Sequence, residues 1–132
     1  MATIVKNPIV KLDTRRITDW ATFHIVFAEL FGFPNFYGRN MNAWIDCLTS
    51  LDAPDDGMTS IHAPPGGVLV LQLDHVDDFS ARCPEMFAAI IEDAAFVNWR
   101  RTETGQEPVL VLSFHKTPPT SSSRVATRIG RR

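Results

Sequence analysis

The sequence predicts an α/β fold, a small three-stranded parallel sheet packed by about three to four helices. Three observations carry that prediction. Ile9–Leu12, Val68–Leu73 and Val109–Phe114 have the apolar, branched composition of strands. The intervening segments place apolar residues at spacings of three and four, as helices do. Strands that alternate with helices pair in parallel, because the helices serve as crossovers.

The elements follow in chain order. Ile9–Leu12 is a short strand. Thr18 is positioned to cap a helix whose Trp20, Phe23, Phe27 and Leu30 fall on one face. Gly32–Gly38 is a turn. Asn40 then caps a second helix that points Met41, Trp44, Ile45, Leu48 and Leu51 inward. Residues 52–67 are rich in Pro, Gly and Asp and read as a loop. Val68–Leu73 is almost continuously apolar, the pattern of a strand covered on both faces. Pro84 suits the first turn of a further helix running to about Asn98, with Met86, Phe87, Ile90, Ile91, Ala94 and Val97 apolar. Val109–Phe114 repeats the buried-strand composition. Residues 1–116 form one domain on this reading. Residues 117–132, with Pro118, Pro119, a serine run and Arg124, Arg128, Arg131 and Arg132, form a flexible basic tail.

At 132 residues the chain has room for one domain with a core. Its apolar runs are far shorter than the ~20 residues of a membrane span, and its N-terminus lacks a signal-peptide pattern. Cys47 and Cys83 are too few for a disulfide scaffold. A cytoplasmic protein with reduced thiols is the expectation. The net charge of −2 conceals a segregation: residues 42–93 carry ten acids against one base, Arg82. Gathered in space, those acids would attract cationic partners and repel nucleic acid; scattered, they are only solvated surface.

The residues that carry chemistry do not assemble into a reaction centre. His24, His62, His75 and His115 lie in four separate segments without metal-ligand spacing. Asp74 and His75 adjoin a strand end, where parallel-sheet sites lie, and Asp77 follows closely. Neither Asp74 nor His75 has an identifiable partner. Cys47 beside Asp46 is no nucleophile pair, since adjacent helical residues point ~100° apart. Gly66-Gly67 precedes a strand instead of opening a helix, so it is not a phosphate loop. The expectation is no enzyme, no cofactor and no metal.

Most of the information lies in Gly32–Thr49, Gly-Phe-Pro-Asn-Phe-Tyr-Gly-Arg-Asn-Met-Asn-Ala-Trp-Ile-Asp-Cys-Leu-Thr. A rigid aromatic turn opens onto a helix that displays Asn42 and Asp46 opposite its apolar stripe. Read alone, Asp46 is an exposed carboxylate that pairs with Arg39 or with nothing. The run as a whole resembles the barstar family of ribonuclease inhibitors. The resemblance is specific in this segment, extends more loosely over Ile9–Phe114, and does not cover the tail.

The resemblance implies a monomeric cytoplasmic protein that blocks the active site of a basic, barnase-like ribonuclease in an antitoxin or immunity role. Membrane and direct nucleic-acid binding are not part of it. Asp46 matches the family's central aspartate, a phosphate mimic for a site lined with Arg, Lys and His. Phe36 and Tyr37 match the aromatic pair of the turn. Gly38 permits the backbone turn and a close approach of the partner. Asn40 matches the helix cap, and Glu92 on the third helix matches an outlying acidic contact. The predicted contact set is therefore Phe36, Tyr37, Gly38, Asn42, Asp46 and Glu92. This chain departs from the pattern at Asn42 and Arg39, where the family carries acids, and at Trp44-Ile45, where the tryptophan is shifted. The loop at 52–67 also looks longer than the family's. A binding module on the same fold with a non-nuclease partner is the alternative. A small hydrolase or metal protein using Asp74, His75 and Asp77 is a third reading.

Overall fold

A computed structural model describes residues 6–118. The expectations placed on residues 119–132 lie outside the described residues. Three parallel strands, β1 (Ile9–Asp13), β2 (Leu69–Asp74) and β3 (Leu110–Phe114), form one sheet in the order β1-β2-β3. Four α-helices accompany it: α1 (Trp20–Phe31), α2 (Met41–Thr49), α3 (Val76–Arg82) and α4 (Pro84–Glu103). Short 3-10 turns occupy Thr14–Arg16 and Pro54–Asp56.

The register explains why the sheet has one buried face. Val10, Leu71 and Leu112 lie abreast, as do Leu12, Leu73 and Phe114. Apart from the exposed Phe114, these residues, with Leu69 and Leu110, meet Phe23, Phe27, Phe31, Trp44, Leu48, Ile90 and Val97 from the helices in a single core. The intervening rows, Ile9–Val70–Val111 and Lys11–Gln72–Ser113, lie on the opposite, less covered face. Burial along β2 therefore alternates, and the expectation of a strand covered on both faces is corrected. The apolar composition misled because Val70 contributes to the run without being fully enclosed.

The helix boundaries also sharpen. Asp19, rather than Thr18, caps α1: its carboxylate accepts from the Thr22 N–H at 2.8 Å while the Thr22 hydroxyl accepts from the Asp19 N–H at 3.0 Å. Trp20 is the first helical residue and stays half-exposed, its ring edge-on to Phe23 at 5.0 Å. Ile91, one of the apolar positions of α4, lies at the surface.

The sequence reading left out α3, whose Asp77 and Asp78 look like a solvated turn. Acids in its first turn and Arg82 in its last suit the helix dipole, and Val76 and Phe79 bury one face. Arg82 pairs with Asp78 at 2.8 Å and donates to the Ile17 carbonyl at 2.9 Å, fastening α3 to the start of the first crossover. Helix α4 continues past Asn98 to Glu103 because its buried stripe ends on an arginine, Arg101.

Candidate functional site

The turn that leads into α2 is set by packing on one side and capping on the other. Gly32 ends α1 at φ +67°, and a Cβ there would fall 2.0 Å from the Ser60 Oγ, so only glycine fits. Phe33 turns into the core, stacked on Phe31 at 5.8 Å. The Tyr37 N–H donates to the Pro34 carbonyl at 2.9 Å and closes the turn.

The two aromatic residues at its tip separate. Phe36 is 75% exposed, the most exposed large apolar side chain among the described residues. Tyr37 is half-buried, packed on Phe33 at 4.7 Å, and its hydroxyl shares a 2.6 Å hydrogen bond with His24 Nδ1. Burial raises the Tyr37 phenol above its ordinary pKa. It lowers that of the His24 imidazole, with the Arg39 charge adding to the effect. Both groups therefore stay neutral near pH 7, and the bond anchors the turn to α1.

Gly38 is exposed and its φ is not positive; the left-handed residue is its neighbour Arg39, at φ +53°. The expectation that glycine supplies the turn's conformational freedom is thus corrected. What Gly38 leaves room for is the Asn40 side chain. Asn40 Nδ2 donates to the Gly38 carbonyl at 3.2 Å, and a Cβ on Gly38 would sit 3.2 Å from that nitrogen. Asn40 Oδ1 accepts from the Ala43 N–H at 2.8 Å, the cap expected from the sequence.

Helix α2 buries Trp44, Ile45, Cys47 and Leu48 and turns Asn42 and Asp46 outward, one turn apart. Trp44 is fully enclosed, edge-on to Phe27 at 5.5 Å, and its indole N–H has no partner among the described residues. Cys47 is buried, and its thiol is pushed up to about 11, first by burial and then by the Asp46 charge. It is therefore not a thiolate nucleophile.

Asp46 does not pair with Arg39. Arg100 of α4 donates from Nη1 to Asp46 Oδ1 at 3.1 Å, with the two side chains 39% and 58% exposed. Glu92 is exposed on α4 as the helical wheel indicates, but it lies roughly two turns before Arg100, about 12 Å along the axis. The α4 residue that meets Asp46 is thus a cation. Sequence reasoning missed it, because the pairing spans two helices and Arg100 lies past the point where the apolar stripe of α4 breaks.

Behind this pair, the almost fully buried Arg101 fixes how α2 sits on α4. It donates to Asp52 Oδ1 and Oδ2 at 3.0 and 2.7 Å, to the Thr49 carbonyl at 2.8 Å and to the Glu107 carbonyl at 2.7 Å. The fork binds both carboxylate oxygens and still satisfies the C-terminus of α2 and the turn before β3.

At the other candidate location, the strand ends, a cleft of about 660 Å³ brings Asp74, His75, Asp77 and His115 together. Asp77 is taken up by the N–H and hydroxyl of Thr117, at 2.7 and 2.6 Å, and Asp74 by Gln72 at 3.0 Å. Among the described residues, no three His, Cys, Asp or Glu side chains are placed to hold a metal ion. No described helix is long and apolar enough to cross a membrane.

The chain's three-stranded parallel sheet and its four described helices are consistent with the family that it matches. The family model described as Barstar (barnase inhibitor) covers residues 7–113, from the residue before Pro8 to Ser113 in β3. No curated protein matches the chain. With the matched region taking in β1, β2, the four described α-helices and β3 up to its last residue, the chain belongs to the Barstar (barnase inhibitor) family.

Proposed function

We propose that the chain inhibits a small, secreted-type ribonuclease by laying α2 across its active site, as an antitoxin or immunity protein in the cytoplasm. The observation that carries this reading is Asp46. Its carboxylate stands at the centre of an exposed helix face, with Oδ1 engaged by Arg100 and Oδ2 taking no bond from a described residue. A carboxylate offers about four lone-pair directions, so a partner's cations can bind it in the position of a substrate phosphate. Phe36 stacks on the enzyme beside it, Tyr37 and Gly38 shape the approach, and Asn42 adds a neutral hydrogen-bonding contact. Glu92 serves as an outlying acidic contact. The family match supports a barnase-inhibitor-like role in general, and the exposure of Phe36 and Asp46 supports this face as the contact.

The test is titration of RNA cleavage by a candidate ribonuclease with the purified chain. Suppression should reach completion near one inhibitor per enzyme. Asp46→Ala should weaken it by about a hundredfold or more, since a buried charge contact loses its acceptor. A tight complex that leaves RNA cleavage untouched would instead assign the face to a non-nuclease partner.

A further inference from the structure

The face where α2 meets α4 does not have the charge that a purely acidic phosphate mimic needs. Arg39 is exposed at the entrance to α2, Asn42 is neutral, and Asp46, the carboxylate that α2 itself displays, is engaged by Arg100. Helix α2 and its entrance therefore display one carboxylate, and a guanidinium of α4 already engages it. Arg100 is also under-used. Its guanidinium has five N–H donors, and among the described residues its side chain makes one bond, from Nη1 to Asp46. The exposed Phe96 lies one turn before it and stacks on the exposed Trp99 at 5.7 Å, so apolar surface continues the same flank.

A cleft lined only with Arg, Lys and His would meet this face with like charges opposed at Arg39 and Arg100. Desolvation at an interface makes such pairs unfavourable. A carboxylate on the partner would reverse the sign at Arg100, accepting from the unused donors while Asp46 keeps a free oxygen for the cationic site next to it.

We infer that this face is bipolar and that Arg100 determines its specificity: the cognate ribonuclease carries a carboxylate on the cleft rim opposite Arg100, next to the cationic site that receives Asp46. This inference rests on the inhibitor reading given above. Arg100 then acts by selection, disfavouring uniformly cationic clefts, and not by supplying the phosphate mimic.

Barnase, the ribonuclease in the family's description, serves as the cationic probe, with RNA cleavage titrated by the full chain and its variants. Arg100→Ala should inhibit barnase at least tenfold more strongly than the unaltered chain, with circular dichroism showing the fold intact. Equal or weaker inhibition by Arg100→Ala overturns the inference. In a second arm, barnase variants carrying single glutamates around the cleft rim are titrated. At least one should be inhibited more strongly by the unaltered chain than by Arg100→Ala, and if none is, the inference is overturned. A triple variant, Arg39→Glu with Asn42→Asp and Arg100→Ala, separates the two readings. If it inhibits barnase while Arg100→Ala gains nothing, Arg100 is not the discriminator and the inhibitor reading stands. If the triple variant instead binds barnase tightly and leaves RNA cleavage untouched, the inhibitor reading falls with it.

Discussion

Arg101 is the residue on which the geometry of the site turns. It ties the C-terminus of α2, the Asp52 carboxylate and the turn before β3 to the last part of α4. It thereby sets the distance between Asp46 and Arg100 one position away. Removing a nearly buried guanidinium strands its acceptors, so Arg101→Ala should lower unfolding free energy by about 3 kcal/mol in urea denaturation. Arg101→Lys should recover only part of that loss, because a single ammonium cannot bind both Asp52 oxygens and two carbonyls in one plane. The same pair predicts a pH dependence. Hydrogen bonds from Arg101 hold the Asp52 carboxyl below its ordinary value of 3.8. Its contribution is thus complete above that value and is lost as pH falls through the lower folded value. Asp52→Asn should therefore flatten the acid limb of the stability curve below about pH 4. An acid limb of unchanged shape in this variant would mean that the pair contributes nothing to stability.

Helix α2 shows how one element combines a scaffold role with the proposed contact role. Its cap, Asn40, bonds forward to the Ala43 N–H and back to the Gly38 carbonyl. Asn40→Ala should destabilise the protein by about 1 kcal/mol and fray the turn that presents Asn42. Both effects can be read by thermal unfolding and by hydrogen exchange of the first α2 amides. The sequence made this helix legible, since cap, apolar spacing and polar face all agree within a few residues. Asn42, Asp46, Phe36 and Glu92 lie at the surface as their spacing implies. Less legible were features that depend on partners distant in sequence. The short α3 looks like a turn until Val76 and Phe79 are seen to be buried. The final turns of α4 are hidden because the inward position is an arginine, which apolar periodicity cannot flag and which stays there only because four bonds satisfy it. The turn's freedom was expected from Gly38, the residue type that gives it most readily, whereas the left-handed residue is Arg39.

At the scale of the molecule, acids that lie together in the sequence block are divided between separate locations. Asp46 and Asp52 lie between α2 and α4, whereas Asp74, Asp77 and Asp78 line the cleft at the strand ends. Asp46, Asp52 and Asp78 are each paired with an arginine, Arg100, Arg101 and Arg82. A field that steers association depends on charges of one sign gathered within about a Debye length, ~10 Å at 0.1 M salt. Here several of the acids are paired with arginines, the proposed contact face carries Arg100 with Arg39 at the entrance to α2, and the whole chain is only −2. Association with a basic ribonuclease should therefore be weakly steered. Raising sodium chloride from about 0.05 to 0.5 M should slow the stopped-flow association rate by about tenfold or less, against the 10- to 1,000-fold range of steered complexes. The triple variant with an acidic face should bind with a steeper salt dependence, because its added carboxylates join Asp46 on one surface. A steep dependence in the unaltered chain would show that the dispersed acids act together at long range despite their pairing. Capture would then owe more to the whole surface than to the α2 face.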